Sequence, residues 1–508
     1  MNRRTFVLAG TTLPVLFSAR RQSLAAAAGS TDAAAPFDPG LLRQMARELA
    51  QKPFQAPDGK LPEPLANLTY DQYRDIRFDP QRALWRDQGL PFTVQLFHRG
   101  FLYTNKVDLY EVVDGKAQPI RYSADLFSFG ATPHPPEGDL GFAGFRIHAP
   151  LNRPDYFDEV AAFIGASYFR AVGKGEGYGL SARGLAIRTA DPSGEEFPIF
   201  KAFWIERPHP SVNSIVVNAL LDSPSVAGAL RFTVRPGDDT VFDCEATLYP
   251  RTDIAEAGIA PLTSMFDFDG INRFNVDDYR PAVHDSDGLL MWTGGNEQLW
   301  RPLNNPRDLQ LSTFSDVNPR GFGLMQRKRN FAAYDDLEAH YERRPCLWVE
   351  PIGDWGEGGV RLIEIPTGQE IHDNIVAFWR PAQPLKAKGE YSFTYRLHWN
   401  GGRPPGDGIA QIVDTRSGAS GQTKNRLFVL EAAGDKLKQL PLDAKPQLET
   451  TANQGKIINP VLVQNSETGG WRISFELVPG GAKLVELRAR IKLGDAPLTE
   501  TWIYRWTP

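Results

Sequence analysis

Short segments of alternating apolar and polar residues constrain the fold of this chain most strongly. A strand places successive side chains on opposite faces, whereas a helix repeats its faces every 3.6 residues. Turn residues separate the segments, and forty-six glycines and forty prolines are available for such turns. The pattern predicts an all-β fold built around a large antiparallel sandwich, not alternating β-α-β units. It is clearest in SARGLAIRTA, FPIFKAFWIERP, SIVVNALLD, GALRFTVRPG and TVFDCEATLYPR.

A few segments before residue 171 suggest other local structure. Leucines and a methionine recur at helical spacing within residues 37–54, where Pro53 would end the helix. A second short helix is predicted at residues 70–75. Residues 155–170 also show helical spacing, with Phe157, Val160 and Ile164 on one face. From Phe92, alternation predicts a hairpin or a pair of strands around Arg99–Gly100.

The length of 508 residues indicates more than one domain. The string PAQPLKAKGE contains two prolines, two alanines and a charge cluster, which predicts a linker at residues 382–387. After it, residues 388–508 alternate with period two between Gly, Pro and Asn turns, as in an immunoglobulin-like sandwich. Residues 29–381 then form the large β-sandwich domain, because no other linker interrupts them.

Residues 1–28 predict an export signal. Arg3 and Arg4 precede a weakly apolar run, and the small residues Ala25–Ala28 offer a cleavage site. This resembles a twin-arginine signal, and an ordinary secretion signal with a chance arginine pair is the alternative. No later run approaches the roughly 18 apolar residues of a membrane-spanning helix, so no stable membrane insertion is expected. The net charge of −5 argues against a nucleic-acid partner.

Carboxylates, indoles and arginines are concentrated between residues 265 and 351. Carboxylates can supply acid and base, indoles offer flat stacking faces, and arginines can fix hydroxyl groups. This mixture favours a carbohydrate ligand over a nucleotide or a lipid. The histidines show no metal-ligand spacing, and FDFDG lacks the glycine and distal glutamate of an EF-hand. The sequence therefore predicts neither a metal site nor a cofactor.

Two acidic strings hold the candidate catalytic residues. In YDDLEAHYERRP, which is predicted to be a short helix or turn, Asp336 is a candidate general acid. Asp335 and Glu338 would raise its pKa by like-charge repulsion. In HDSDG, Asp285 and Asp287 occupy alternate positions, so both carboxylates could face one cleft as base or sugar ligand. The alternatives are a solvated acidic face for the first string and an Asp-rich turn for the second.

Five tryptophans lie within 90 residues, and they are Trp292, Trp300, Trp348, Trp355 and Trp379. The flat indole that stacks on a sugar also fills protein cores, so core packing is the alternative for each of them. Trp300 and Trp355 are the preferred candidates for lining a cleft. The predicted substrate-binding set is Trp300, Arg301, Glu338, Arg344, Trp348 and Trp355.

Long uncommon strings in a fixed order give the mature chain a family resemblance. The strings are FDFDG, RPAVHDSDGL, WRPLNNP, NPRGFGLMQR, RRPCLWVEP, EIPTG, DNIVAFW and TETWIYRW. With them the chain resembles the periplasmic glucan biosynthesis proteins of the OpgG/OpgD (MdoG/MdoD) type, and the paired arginines resemble the D-type member.

The resemblance implies a large galactose-mutarotase-like sandwich followed by a small immunoglobulin-like sandwich. It also implies work on osmoregulated periplasmic glucans, whose backbone is β-1,2-linked glucose. Some members are inverting endo-β-1,2-glucanases whose general acid is an aspartate, and by position in its string that residue resembles Asp336.

Three functions follow as hypotheses. The first is a periplasmic endo-β-1,2-glucanase, the second a glucan-binding or chain-organising protein without catalysis, and the third a branching transglycosylase. The expected partners are the β-1,2-glucan polysaccharide and the glucan-synthesis machinery at the inner membrane.

Overall fold

The computed structural model describes residues 34–508 except 275, 403–407, 422, 424 and 442. The predicted export signal at residues 1–28 lies outside the described residues. Strands dominate the described part, and the prediction of an all-β sandwich protein is confirmed. In chain order the strands are β1 (Ala35–Pro36), β2 (Arg77–Phe78), β3 (Thr93–His98), β4 (Asp108–Val113), β5 (Lys116–Pro119), β6 (Phe127–Ser128), β7 (Phe142–Pro150), β8 (Phe157–Ile164), β9 (Tyr168–Ala171), β10 (Ser181–Arg183), β11 (Ala186–Ile187), β12 (Ile199–Glu206), β13 (Ile215–Asp222), β14 (Val226–Arg235), β15 (Thr240–Pro250), β16 (Ala257–Ser264), β17 (Phe266–Phe268), β18 (Val283–His284), β19 (Gly288–Trp292), β20 (Gln298–Pro302), β21 (Gln310–Val317), β22 (Gly321–Met325), β23 (Cys346–Ile352), β24 (Glu357–Glu364), β25 (Ile375–Pro381), β26 (Tyr391–Asn400), β27 (Gln411–Ala419), β28 (Arg426–Ala433), β29 (Gln447–Ala452), β30 (Lys456–Asn465), β31 (Gly470–Val478), β32 (Val485–Leu493), β33 (Ala496–Pro497) and β34 (Thr501–Trp506).

Two sheets pack face to face to form the large sandwich. The first, called here the large sheet, runs β1-β5-β4-β12-β13-β14-β15-β26-β23-β22-β19-β20-β34-β32-β29, with β33 beside β32. The second runs β21-β24-β25-β16-β10-β9-β8-β7-β3, with β11 beside β16. Phenylalanines fill the space between them, with Phe163 5.5 Å from Phe232 and Phe169 5.9 Å from Phe242 between ring centroids. Each such buried ring contributes roughly 1.5–3 kcal/mol of transfer free energy.

One of the two layers of the C-terminal sandwich is part of the large sheet. Its other layer is a separate sheet with the order β27-β28-β31-β30. Phe428 and Phe475 of that layer contact Trp502 of β34, with ring centroids 5.8 and 6.0 Å apart. Because β34 pairs in parallel with β20, the hydrogen-bonded ladder continues from one sandwich into the other.

The sequence places the boundary between the domains too early. Strand β26, assigned from sequence to the second domain, lies in the middle of the large sheet between β15 and β23. It pairs with nine residues of β15 and seven of β23. The predicted linker at 382–387 therefore connects two strands of the large sandwich. The periodic pattern does not reveal this, because β26 alternates like the strands that follow it.

The helices are α1 (Pro39–Ala50), α2 (Glu63–Ala66), α3 (Tyr70–Asp75) and α4 (Asp435–Lys438). The prediction of α1 within residues 37–54 is confirmed. The Asp38 side chain accepts a hydrogen bond from the backbone N–H of Leu41 and caps its N-terminus. Its buried face, Leu42 and Ala46, packs against the large sheet beside Trp204. The prediction of α3 is also confirmed, and Thr69 begins it with a capping box.

The helix predicted at residues 155–170 is wrong, because the segment forms β8 and β9. Its residues Val160 to Phe163 are all buried, so both faces of the strand are covered. Such burial removes the alternation that identifies a strand, and the remaining spacing imitates a helix. The strands expected from Phe92 are confirmed as β3 and β4, but they lie in different sheets rather than in one hairpin.

Within the described part of the chain, no helix combines the length and the apolar character needed to cross a membrane.

The position of β26 predicts how the chain can be divided. A fragment of residues 34–387 lacks β26 and leaves β15 and β23 without their shared partner, so we expect it not to unfold cooperatively. A matched fragment of residues 34–402 retains β26, and we expect it to keep a near-ultraviolet circular dichroism signal and a cooperative urea transition. Cooperative unfolding of the shorter fragment would contradict the assignment.

Candidate active site

The Asp336 carboxyl group lies in a tight turn rather than on a helix face. Its Oδ1 accepts hydrogen bonds from the backbone N–H groups of Glu338 and Ala339, at 2.9 and 2.8 Å. The preceding residue, Asp335, has the left-handed φ of 53° that such a turn requires. Glu338 is exposed beside this turn. The string YDDLEAHYERRP was predicted to form a short helix or a turn, and at Asp336 the structure shows a turn.

Arg280 contacts three carboxylates, one of which is Asp336. Its guanidinium lies 2.8 Å from Oδ2 of Asp336, 2.8 Å from Oδ2 of Asp278 and 2.8 Å from Oε2 of Glu370. The Tyr341 hydroxyl donates to the same Oε2 of Glu370 at 3.1 Å. One cation thus contacts three anions, in a site where Asp336 is buried and the Glu370 side chain is partly exposed.

These contacts lower the pKa of Asp336. Burial alone would raise it, but the N–H groups of Ala339 and Glu338 and the Arg280 guanidinium outweigh burial. The expectation that Asp335 and Glu338 would raise the pKa by like-charge repulsion is therefore wrong. The sequence places these charges nearby but does not show the cation from a segment 56 residues away.

Asp285 lies at the other end of the same network. Its Oδ1 accepts a hydrogen bond from Nη1 of Arg344, whose guanidinium carbon lies 4.4 Å from the centroid of the Tyr341 ring. Burial raises the pKa of Asp285 to about 6, although Arg344 opposes the shift. The contacts form a path from Asp336 through Arg280, Glu370, Tyr341 and Arg344 to Asp285, called here the Asp336–Asp285 network.

Asp287 does not face the same cleft as Asp285. Its Oδ2 accepts from the backbone N–H of Arg327 at 2.6 Å, and its Oδ1 lies 3.2 Å from Nε2 of His284. The chain bends at Asp285 and at Asp287, so the expected alternation along an extended segment does not hold. Asp287 fixes the segment that follows β22 instead of joining the network.

One acidic cluster has the composition of a cation site. Asp269, His284 and Asp287 each bring one ligand atom to a space in which these atoms lie within 4.8 Å of one another. Nζ of Lys328 lies 2.7 and 2.6 Å from the two carboxylate oxygens of Asp269. Burial opposes the ammonium charge, but the surrounding carboxylates raise the pKa of Lys328. The lysine supplies the positive charge, so these residues fit a buried ion-pair cluster.

Three of the predicted substrate-binding residues are buried and pack against other parts of the protein. Trp300 is 3% exposed beneath the Arg327 guanidinium, whose central carbon lies 3.4 Å from the ring centroid. Arg301 is 1% exposed and lies 3.3 Å from Glu364. Trp355 is 6% exposed, and its Nε1 donates to the carbonyl of Thr394. The expectation that Trp300 and Trp355 line a cleft is therefore not met, and Arg301 belongs to a buried ion pair.

Trp348 borders a cavity that is separate from the network residues. That cavity lies over the large sheet, and Trp292 also lines it. Of the predicted site residues, the structure joins Asp336, Asp285 and Arg344 in one network and places Trp348 at this second location.

Arg280, Tyr341 and Glu370 belong to the network, but their role was not predicted from the sequence. Arg280 follows the Asp277–Asp278 pair, which is the one local signal for a cation serving several acids. Large apolar side chains are exposed beside the network residues in sequence: Tyr279 (78%), Leu337 (77%) and Ile371 (78%). A polar cluster whose neighbours in sequence are exposed apolar side chains suits a ligand with both hydroxyl groups and apolar faces.

Comparison with known proteins identifies the family. Residues 37–506 match the family described as "Periplasmic glucan biosynthesis protein, MdoG". This chain belongs to the periplasmic glucan biosynthesis family. It is 58% identical to "Glucans biosynthesis protein G" of Rhodopseudomonas palustris over 508 residues, covering 100% of both chains. It is 57% identical over 510 residues to the protein of that name from Bradyrhizobium diazoefficiens, again covering 100% of both. A Vibrio cholerae protein of the same name is 52% identical over 478 residues, covering 93% of this chain and 87% of the relative.

These relatives correct one expectation within the family. All three carry the name of the G-type protein, whereas the paired arginines suggested the D-type member. A short N-terminal motif carries less information than similarity along the whole chain. Membership of the periplasmic glucan biosynthesis family, which the internal strings indicated, is confirmed.

The buried pair of Asp285 and Arg344 predicts a pH-dependent loss of stability. In Arg344→Met, we expect the free energy of unfolding to fall by roughly 3–5 kcal/mol at pH 8, where Asp285 is ionised without its partner. Removing the cation raises the pKa of Asp285 further, so at pH 5 the carboxyl is neutral and the loss should be smaller. Urea unfolding at both pH values measures the difference.

The control for this experiment is Arg343→Met. The Arg343 side chain is 61% exposed, so its replacement should change stability by less than about 0.5 kcal/mol at either pH. Equal losses at pH 5 and pH 8 for Arg344→Met would show that Asp285 does not titrate as described.

Proposed function

We propose that this protein is a periplasmic enzyme that cleaves the β-1,2-linked backbone of glucan, with inversion at the anomeric carbon. Asp336 and Asp285 would supply the two carboxyl groups. The observation that carries the proposal is the Asp336–Asp285 network, in which two buried aspartates have pKa values shifted in opposite directions. Paired carboxyl groups in different protonation states are what glycoside hydrolysis requires.

The division of roles between the two aspartates follows from their surroundings. The resemblance assigns the general acid to Asp336, yet the backbone N–H groups of Ala339 and Glu338 and the Arg280 guanidinium favour its ionised form. We therefore propose that glucan hydroxyl groups compete for Arg280 and remove one of the contacts that hold Asp336 ionised, so that its Oδ2 can take up a proton from solvent. Until then Asp285 holds a proton more readily, because its pKa is about 6.

A second candidate function has one specific observation in its favour. The same Arg280 contacts would keep Asp336 ionised if no ligand displaced them, and the site would then bind glucan without cleaving it. Such a protein would present the backbone to other enzymes. The exposed apolar side chains of Tyr279, Leu337 and Ile371, each next in sequence to a network residue, suit either function, since both require the glucan to be held.

The proposal extends to location and partners. The family description and the names of the relatives point to glucan synthesis in the periplasm. We propose that the chain is exported by its N-terminal signal and meets linear β-1,2-glucan there. The glucan-synthesis machinery at the inner membrane would be its protein partner.

The central prediction concerns the two aspartates. Asp336→Asn and Asp285→Asn should each reduce the shortening of linear β-1,2-glucan by at least about 100-fold, because each removes a group that transfers a proton. Chain length followed by chromatography and the anomer of the first product followed by NMR measure the effect. Inverting hydrolysis predicts an α-anomer from the β-linkage.

The matched control is Asp335→Asn, one residue from Asp336. Asp335 is exposed and has a left-handed φ of 53°, which asparagine tolerates well. Its activity should equal that of the parent. Glucan binding without new reducing ends would support the non-cleaving alternative, and longer or branched products would support a transglycosylase.

A further inference from the structure

Residues 341–344, called here the network turn, carry two side chains of the Asp336–Asp285 network. Tyr341 is the first residue of the turn and Arg344 the last, and Tyr341–Arg343 forms one turn of 3-10 helix. The preceding residue, His340, has a left-handed φ of 46°. So short a helical turn leaves carbonyl groups without partners inside it, and these groups need donors from elsewhere.

Arg329 binds two carbonyl groups of the network turn. Its Nη1 donates to the carbonyl of Glu342 at 3.3 Å and to that of Arg344 at 2.6 Å. Its Nη2 lies 3.3 Å from Sγ of Cys346, the first residue of β23, and 3.5 Å from the carbonyl of Asn400, the last residue of β26. One planar guanidinium thus fastens the turn to the ends of two strands, which the single ammonium of a lysine is not shaped to do.

The carboxylate closest to Arg329 forms no hydrogen bond with it. Oε1 of Glu176 lies 3.9 Å from Nη1 of Arg329, which is too long for such a bond. The charge of the guanidinium therefore strengthens its bonds to the carbonyl groups. The other two carbonyls of the turn accept from neutral donors at 3.1 Å, which are Nε2 of Gln326 for Tyr341 and the backbone N–H of Gly177 for Arg343.

The position of Arg344 determines its contact with Asp285. Nε of Arg344 donates to the carbonyl of Ala339 at 3.3 Å, and its Nη1 donates to Oδ1 of Asp285. A shift of the backbone at Arg344 would move the guanidinium away from a carboxylate that is 4% exposed. Burial would then act on Asp285 with less opposition, and its pKa would rise above the present value of about 6.

We propose that Arg329 is a positioning residue, which holds the Arg344 guanidinium against Asp285 by binding the backbone of the network turn. Among the residues that the structure describes, no hydrogen bond or ion pair joins Arg329 to Asp285, so the effect passes through Arg344. The inference rests on the proposed function for the catalytic role of the network, but its test requires no cleavage.

Other titratable groups face these residues and have to be separated from the effect. Those facing Asp285 are Arg344, Asp373, Arg170 and Tyr341, and those facing Arg329 are Glu176 and Cys346. Burial raises the pKa of Glu176 to about 7, so this carboxyl group also ionises between pH 5 and pH 8. Removal of Arg329 alone would therefore not show which carboxyl group responds.

The test is a double-mutant cycle of Arg329→Met and Asp285→Asn, followed by urea unfolding at pH 5 and pH 8. Arg329→Met should destabilise the protein more at pH 8, because Asp285 is ionised in the native state only at the higher pH. The extra rise of the unfolding equilibrium constant at pH 8 should be at least about tenfold larger with Asp285 than with asparagine at this position. That factor corresponds to one unit of pKa, and the part that remains with asparagine belongs to Glu176.

Two glycines of one loop give a second test that leaves every charge in place. A Cβ added at Gly179 would lie 2.9 Å from Cβ of Arg344, so Gly179→Ala displaces Arg344 directly. It should reproduce the extra loss at pH 8, again only with Asp285 present. A Cβ at Gly177 meets no atom within 4 Å, so Gly177→Ala is the matched control and should change stability equally at both pH values. Neither glycine has a left-handed φ, so alanine fits both backbones.

An equal extra loss at pH 8 with and without Asp285 would overturn the inference, because the response would then belong to Glu176. So would Gly179→Ala if its loss does not depend on Asp285. If Arg329→Met does not fold, Arg329→Lys decides in its place, since it keeps the charge near Glu176 but loses the planar fork. The expected pattern in a protein that never shortens glucan would refute the cleavage proposal and leave this one standing.

Discussion

Two consecutive cations, Arg327 and Lys328, hold the two sandwiches against each other. Arg327 lies on Trp300 of the large sheet and donates to Glu500 and to the carbonyl of Ile412, at 2.9 and 2.7 Å. Lys328 joins Asp269 to Asp414 of β27. Buried ion pairs of this kind cost roughly 3–5 kcal/mol when one partner is lost. Asp269 of FDFDG, which pairs with Lys328, and Asp287 of HDSDG, which accepts from the backbone N–H of Arg327, thus serve the junction.

The alternating pattern was sufficient to predict the class of fold, because strands with one buried face show it directly. It failed at β8, where burial on both faces hides the period. It also failed at β26, whose neighbours β15 and β23 come from segments more than a hundred and about forty residues away in sequence. Pairing between distant strands leaves no mark on the composition of one strand, so the domain boundary could not be placed from sequence.

The residues of the candidate site could be predicted only in part, because the sequence near a residue does not show what folding brings beside it. Asp285 and Arg344 were chosen from their residue types and strings, Asp336 was chosen chiefly from the family resemblance, and the structure joins all three in one network. The same grounds also selected Trp300, Arg301 and Trp355, but these side chains are buried. Whether a side chain is exposed to solvent depends on the strands and loops that pack over it, and these come from distant parts of the sequence. The pKa of Asp336 depends on Arg280, which comes from a distant segment. Local sequence shows the charges near an aspartate but not the cation that folding brings to it.

The continuous ladder from β20 to β34 has a mechanical consequence. Many enzymes close two domains over a ligand by bending at a hinge between them. Here such bending would break the backbone pairing of Leu299 with Thr501 and of Trp300 with Trp502. It would also break the ion pairs of Arg327 with Glu500 and of Lys328 with Asp414. The two sandwiches therefore act as one rigid platform. A polysaccharide bound as proposed would have to adapt its own shape to this platform, and any gating would come from the loops along its edge.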